Sequence, residues 1–157
     1  MNRDFGEFLR DLGTEKFRAI IIYSDSSLSQ IEFAKKAASK YQGQYVDFID
    51  LFQCQPDLMT NIDTIDIESF KAILIEQSSG SQLLLITRMD FLLDVWSSDT
   101  VKSFYRLIKN QWNSFQETMQ ATLVFFLQTN VNLLDQKITN PSGHSRVLSL
   151  SVFKDID

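Results

Sequence analysis

The stretch FRAIIIYSDSSLSQIEFAKKAA, residues 17–38, holds a complete strand–turn–helix unit. Phe17 to Tyr23 is short, rich in β-branched residues and nearly all apolar, which is the pattern of a strand buried on both faces of a parallel sheet. Ser24-Asp25-Ser26-Ser27 is a polar turn. From Leu28 to about Gln42 the apolar residues Leu28, Ile31, Phe33, Ala34, Ala37, Ala38 and Tyr41 recur at helical spacing, and Gly43 ends the run.

The same alternation continues along the chain. Gln44 to Ile49 reads as a second strand, and residues 50–65 read as irregular, with Pro56 blocking a long element. Ile67 to Glu76 predicts a helix, QLLLI at 82–86 a third buried strand, and Asp90 to Trp96 a short amphipathic helix. A longer helix is expected from near Thr100 to about Phe115. ATLVFFL at 121–127 gives a fourth strand, and a helical turn is expected at 131–136. RVLSLSVF at 146–153 alternates and suits a final edge strand. Upstream, Phe5, Phe8, Leu9 and Leu12 form one stripe of an N-terminal amphipathic helix within residues 1–13, with Gly13 as its C-cap. Strands alternating with helices imply an α/β domain, with a parallel sheet of about five strands and helices on both faces. No linker or repeat interrupts it, so residues 1–157 read as one domain.

Composition narrows the chemistry. The 157 residues carry a formal charge of -5, with 44% apolar and 22% charged residues. That balance argues against a broad nucleic-acid-binding face and disfavours direct nucleic-acid contact. One Cys and one His exclude a disulfide framework, a cysteine zinc site and a multi-histidine metal site, so no metal or cofactor is expected. No apolar run approaches the ~18 residues of a membrane span, and the polar N-terminus lacks a signal-peptide core. The cytoplasm is the expected location.

In parallel α/β sheets the ligand crevice lies at the carboxyl ends of the strands. The strand, turn and helix at 17–38 have the layout of a phosphate-binding loop, G-x-x-x-x-G-K-[ST], read as a seven-residue turn. Laid on this chain the pattern falls on Ser24, Ser29, Gln30 and Ile31. Glycines would let backbone N–H groups approach phosphate, lysine would neutralise its charge, and a hydroxyl would hold Mg²⁺. Here Ser, Ser, Gln and Ile stand instead, and Asp25 adds a negative charge. The alternative is an ordinary strand-to-helix turn with an N-capping Ser. A Walker B strand should end in a Mg²⁺-binding Asp. In this chain Leu83-Leu84-Leu85-Ile86 ends in Thr87, and Arg88 occupies the usual catalytic Glu position. Strand four ends Gln128-Thr129-Asn130, so Asn130 sits where related ATPases carry a polar sensor.

LLLITRMDFLLD, residues 83–94, resembles the Walker B region of the small P-loop proteins called BrxF, from BREX type-three phage-defence systems. Met89-Asp90-Phe91-Leu92-Leu93-Asp94 keeps that family's pattern after the lost acid. Pro141-Ser142-Gly143-His144 and Arg146 are similar to that family's Pro-Gly-His-x-x-x-Arg segment. The resemblance spans roughly residues 15–153. It implies a degenerate P-loop NTPase fold of the AAA-like kind and membership of a multi-protein bacterial defence complex.

Other constellations are weaker. A receiver domain would need an acidic pair after strand one, an Asp after strand three and a late Lys, none of which the chain supplies. Asp47, Asp50, Asp90 and Asp94 read as a solvated rim with helix caps, Asp90 capping a helix that starts at Phe91. His144 reads as a turn residue and Cys54 as an indifferent thiol. Lys102, Arg106 and Lys109 read as a solvated stripe. Phe5 and Phe8 are candidates for a partner-binding patch, as are Phe104, Tyr105 and Trp112. The resulting expectation is a non-catalytic scaffold or adaptor with a degraded nucleotide site, bound to larger protein subunits or to itself. The alternative is an NTPase with an unusual site, or one completed in trans by a partner, with Arg88 reaching a neighbour's phosphate.

Overall fold

A computed structural model describes residues 2–13, 18–109, 121–139 and 143–157. Phe17, Trp112, Phe115, Pro141 and Ser142, which carry some of the sequence expectations, lie outside the described residues. The elements are α1 (Phe5–Gly13), β1 (Ala19–Ser24), α2 (Ser27–Lys40), β2 (Gln44–Asp47), α3 (Phe48–Cys54), α4 (Pro56–Thr60), α5 (Ile67–Gln77), β3 (Leu83–Thr87), α6 (Asp90–Val95), α7 (Ser98–Lys109), β4 (Thr122–Gln128), α8 (Val131–Leu134) and β5 (Val147–Ser149). Short 3-10 turns occupy Ile62–Thr64 and Leu150–Val152.

Five strands form one parallel sheet in the order β2-β3-β4-β1-β5. This differs from the 2-1-3-4-5 order of flavodoxin-like and receiver domains. Ile21 pairs with Phe125, Leu85 with Val124, and Val46 with Ile86. Side chains alternate across the sheet. Ala19, Ile21, Leu84, Ile86, Leu123 and Phe125 face one core with α3, α5, α6 and α7, where Phe70, Phe104 and Phe125 pack ring against ring. Ile20, Ile22, Leu85, Val124 and Phe126 face the other core with α1 and α2. Helices on both faces are therefore borne out.

The structure corrects several boundaries. Residues 48–64 are two short helices and a 3-10 turn rather than irregular chain. The second strand stops at Asp47 because the Asp47 carboxylate accepts the Asp50 N–H at 3.0 Å and starts α3, which buries Phe48 and Phe52. Pro56 starts α4, where its missing N–H costs nothing. The left-handed residue after α2 is Gln42 (φ 57°), not Gly43. Gly43 is required for space instead, since a Cβ there would lie 2.9 Å from Leu83. The final strand is only Val147–Ser149.

Phe5 and Phe8 are not a free partner patch. Arg3 N–H donates to Val152 O (2.7 Å) and Lys154 N–H to Arg3 O (2.8 Å), which fastens the N-terminus beside β5. That lays α1 on the second core. Phe5 then meets Phe33 and Phe153 edge-on at about 5 Å, and Phe8 meets Phe153 likewise. Both rings are buried.

Candidate functional site

Insertion of β4 between β1 and β3 decides what can meet. It brings the carboxyl ends of β1, β4 and β3 side by side, and with them Ser24, Gln128 and Thr87. The three stretches marked in the sequence therefore share one end of the sheet.

The turn after β1 is tighter than expected. Only Asp25 and Ser26 separate Ser24 from the first residue of α2, so Ser29, Gln30 and Ile31 are already helical. None of residues 24–31 has a positive φ. Three of the turn's N–H groups, those of Ser27, Ser29 and Gln30, are engaged within the protein. Ser26 Oγ accepts from Ser29 N at 3.1 Å as the N-cap, and Ser26 O accepts from Gln30 N. With its amide turned to suit the turn, Gln128 accepts from Ser27 N (3.3 Å) and donates to Asp25 O (3.2 Å). Ser24 Oγ donates to Ser26 O.

Gln30 stands at the lysine position and is fully buried. Its Nε2 donates to Leu127 O at 2.8 Å, to Ser24 Oγ at 3.0 Å and, more weakly, to Ser24 O at 3.4 Å. It thereby ties α2 to the ends of both central strands. Its Oε1 is buried with no partner.

At the end of β3, Thr87 is buried and its hydroxyl donates to Asp47 Oδ2 at 3.2 Å. Arg88 turns into the left-handed region (φ 55°) and pairs its Nε with Asp47 Oδ2 at 2.5 Å and its Nη2 with Asp50 Oδ1 at 3.3 Å. The Tyr45 hydroxyl lies 2.8 Å from that of Thr87. Burial favours the neutral acid at Asp47, but the Arg88 guanidinium, the Asp50 N–H and the Thr87 hydroxyl outweigh it and hold the carboxyl below its ordinary range. Arg88 is thus held inside its own domain.

Asp90 corrects the capping expectation. It is the first residue of α6, follows Met89, and makes no cap; its Oδ1 instead accepts the Gln128 N–H at 2.8 Å, joining α6 to the end of β4. Burial pushes its carboxyl up, more than the Gln128 N–H lowers it, and Asp94 adds to the rise. Burial, helped by the Asp90 charge, pushes the nearby Tyr105 phenol up to about 12. Asn130 caps α8, its Oδ1 accepting from Leu133 N at 2.8 Å. Arg146 is buried and donates to Ala19 O at 3.2 Å, so it braces the start of β1. Cys54 and His144 are exposed.

Beside the β1 turn lies an open crevice of about 670 Å³, lined among others by Ser24, Asp25, Ser26, Ser149, Ser151 and Asp155. Among the described residues its lining is hydroxyl-rich, with two carboxylates and no Lys or Arg. Such a surface repels a polyphosphate. Among the described residues no three His, Cys, Asp or Glu side chains gather as a metal site, and no described helix is long and apolar enough to cross a membrane.

The chain matches no protein-family model and no curated protein. The site's chemistry must then be argued from its own residues. Sequence reasoning missed the Asp47–Arg88 pair and the Gln128 brace. The first had a signal: Tyr45 and Asp47 share a strand face at period two, and that strand end pairs in register with Thr87.

Proposed function

We propose that the protein is a non-catalytic scaffold or adaptor subunit of a bacterial multi-protein complex, built on a P-loop-type domain whose nucleotide site has degraded. The BrxF resemblance points to phage defence or other DNA-associated machinery as the setting. One observation carries the reading. Gln30, at the position of the phosphate-binding lysine, spends its amide on Leu127 O and on Ser24. The chain has turned a ligand-facing position into an internal strut. The remaining replacements act in the same sense. The N–H groups of Ser27, Ser29 and Gln30 are consumed by the turn, and Thr87 faces Asp47 rather than a metal.

Leu28 (66% exposed) opens α2, and Val131 (74%) and Leu134 (52%) stand on α8, all at this end of the sheet. Apolar side chains beside a site without phosphate chemistry favour contact with another protein subunit. For Arg88 to complete a neighbour's site it would first have to leave Asp47 and Asp50.

The test is melting with and without millimolar Mg²⁺-ATP. A nucleotide at a hundred times its dissociation constant would stabilise the fold by about 2.7 kcal/mol. The expected result is no shift, and a clear rise in melting temperature overturns the reading.

A further inference from the structure

At the opposite end of the sheet, α1, the end of α2 and the amino ends of β1, β3 and β4 enclose a recess of about 350 Å³. Its polar lining is made by Arg10, Arg18, Tyr41, Gln82 and Thr122, and its apolar walls by Leu9 and Leu83. Among the described residues no carboxylate lines it.

The donors here are unspent. Both ion-paired arginine contacts among the described residues belong to Arg88, and neither Arg10 nor Arg18 forms one. Among the described residues the Tyr41 hydroxyl, the Thr122 hydroxyl and the Gln82 amide form no hydrogen bond, although their backbones are engaged; Thr122 N–H, for example, donates to Gln82 O. Thr122 is nonetheless a buried residue, so its hydroxyl faces the recess rather than open solvent. Arginine can only donate, and its planar fork suits carboxylate and phosphate oxygens. Lys40 lies 5.8 Å from the Tyr41 ring, and the Asp4 carboxylate, which feels its charge, stands beside Gly6. Gly6 allows the Tyr41 ring to lie this close to α1, since a Cβ there would stand 2.8 Å from it.

A concave, partly apolar recess with a few converging donors is the usual form of a small-ligand site. We propose that this recess binds a small organic oxyanion, with its phosphate or carboxylate held by Arg10 and Arg18 and its apolar body against Leu9 and Leu83. The site is independent of the crevice beside the β1 turn and stands whether or not that crevice has lost its nucleotide.

The probes are phenyl phosphate and benzoate, with inorganic phosphate as the form without an apolar body. Each is titrated into the full chain at constant ionic strength, and binding is followed by the arginine Nε–H NMR signals and by melting temperature. Saturable shifts at Arg10 and Arg18 are expected, with phenyl phosphate or benzoate binding more tightly than inorganic phosphate. Arg10→Gln with Arg18→Gln should weaken binding by about tenfold or more while leaving the ligand-free melting temperature close to that of the wild type. Thr122→Val should weaken it by a smaller factor, and Lys36→Gln, a charge change elsewhere on α2, should not. Absence of saturable shifts overturns the proposal, as does equal binding by the double variant and the wild type.

Discussion

The Gln30 amide donates across 97 residues to the carbonyl of Leu127, at 2.8 Å. That bond joins the first turns of α2 to the end of β4, and the same nitrogen reaches Ser24 at the end of β1. Removing it takes one donor from Leu127 O, which the β1–β4 ladder also engages, and the donor to Ser24 Oγ. Gln30→Leu is therefore expected to cost about 0.5–1.5 kcal/mol in urea unfolding. Gln30→Lys forces a charge into a fully buried position and should also destabilise, with no heat on titration with Mg²⁺-ATP. Binding by Gln30→Lys would mean that the turn can still present its N–H groups outward.

Arg88 is expected to show two separable effects. Arg88→Ala strips Asp47 of its guanidinium but leaves the Thr87 hydroxyl and the Asp50 N–H. A loss of about 1–3 kcal/mol is expected, below that of a fully buried pair, because Arg88 is partly exposed. Arg88→Gly loses the same pair but relieves a left-handed backbone, so it should be more stable than Arg88→Ala by about 1 kcal/mol.

The pair also carries a pH signature. Asp47 is held below its ordinary range in the folded state, so its contribution is complete above the unfolded value of about 3.9 and fades as pH falls through the lower folded value. The stability gap between wild type and Arg88→Ala should be flat from about pH 7 to pH 5 and narrow below about pH 4. A gap that is unchanged at acid pH would mean Arg88 acts through packing rather than charge.

Much of this architecture was legible because its signals are local. The nearly all-apolar runs at 17–23, 82–86 and 121–127 read as buried strands, which the structure places at 19–24, 83–87 and 122–128, and the Ser26 cap lay within the turn. What escaped was set by distant partners. Asp47 ends β2 early because one of its oxygens caps α3, and Arg88, forty-one residues away, pairs with the other. Asp90 looked like a cap because it precedes an apolar helix, yet the Gln128 N–H claims it. Gln30 is polar and lies beside hydrophilic residues in sequence; only the meeting of β1 and β4 shows why it is inside. Strand order was not written in any single element.

Asp90 is expected to be a stability cost at neutral pH. Burial raises its carboxyl above the ordinary value, so its favourable contribution is present below the unfolded value and is lost as pH rises through the folded one. Asp90→Asn keeps an oxygen to accept the Gln128 N–H and removes the charge. The variant should melt higher than the wild type at pH 7, and the difference should close below about pH 4. A lower melting temperature at pH 7 would show that the charge strengthens the bond to Gln128 more than burial penalises it.

The N-terminal helix supplies the last test. An amphipathic helix at a chain end can dock on a partner or on its own domain, and the stripe of Phe5, Phe8 and Leu12 is the same in both cases. Arg3 decides for the domain, because its two backbone bonds to Val152 and Lys154 fix where α1 begins. Phe5 then closes a cluster with Phe8, Phe33, Tyr41 and Phe153. Phe5→Ala should cost about 3–5 kcal/mol, and Phe5→Asp with Phe8→Asp should prevent stable folding, since each would also bury a carboxylate. Glu7→Ala, on the exposed side of the same helix, should stay within about 0.5 kcal/mol of the wild type. Urea unfolding of all three separates the possibilities. A double aspartate variant that unfolds like the wild type would mean that α1 leaves this core in solution, and its phenylalanines would then be free to meet a partner.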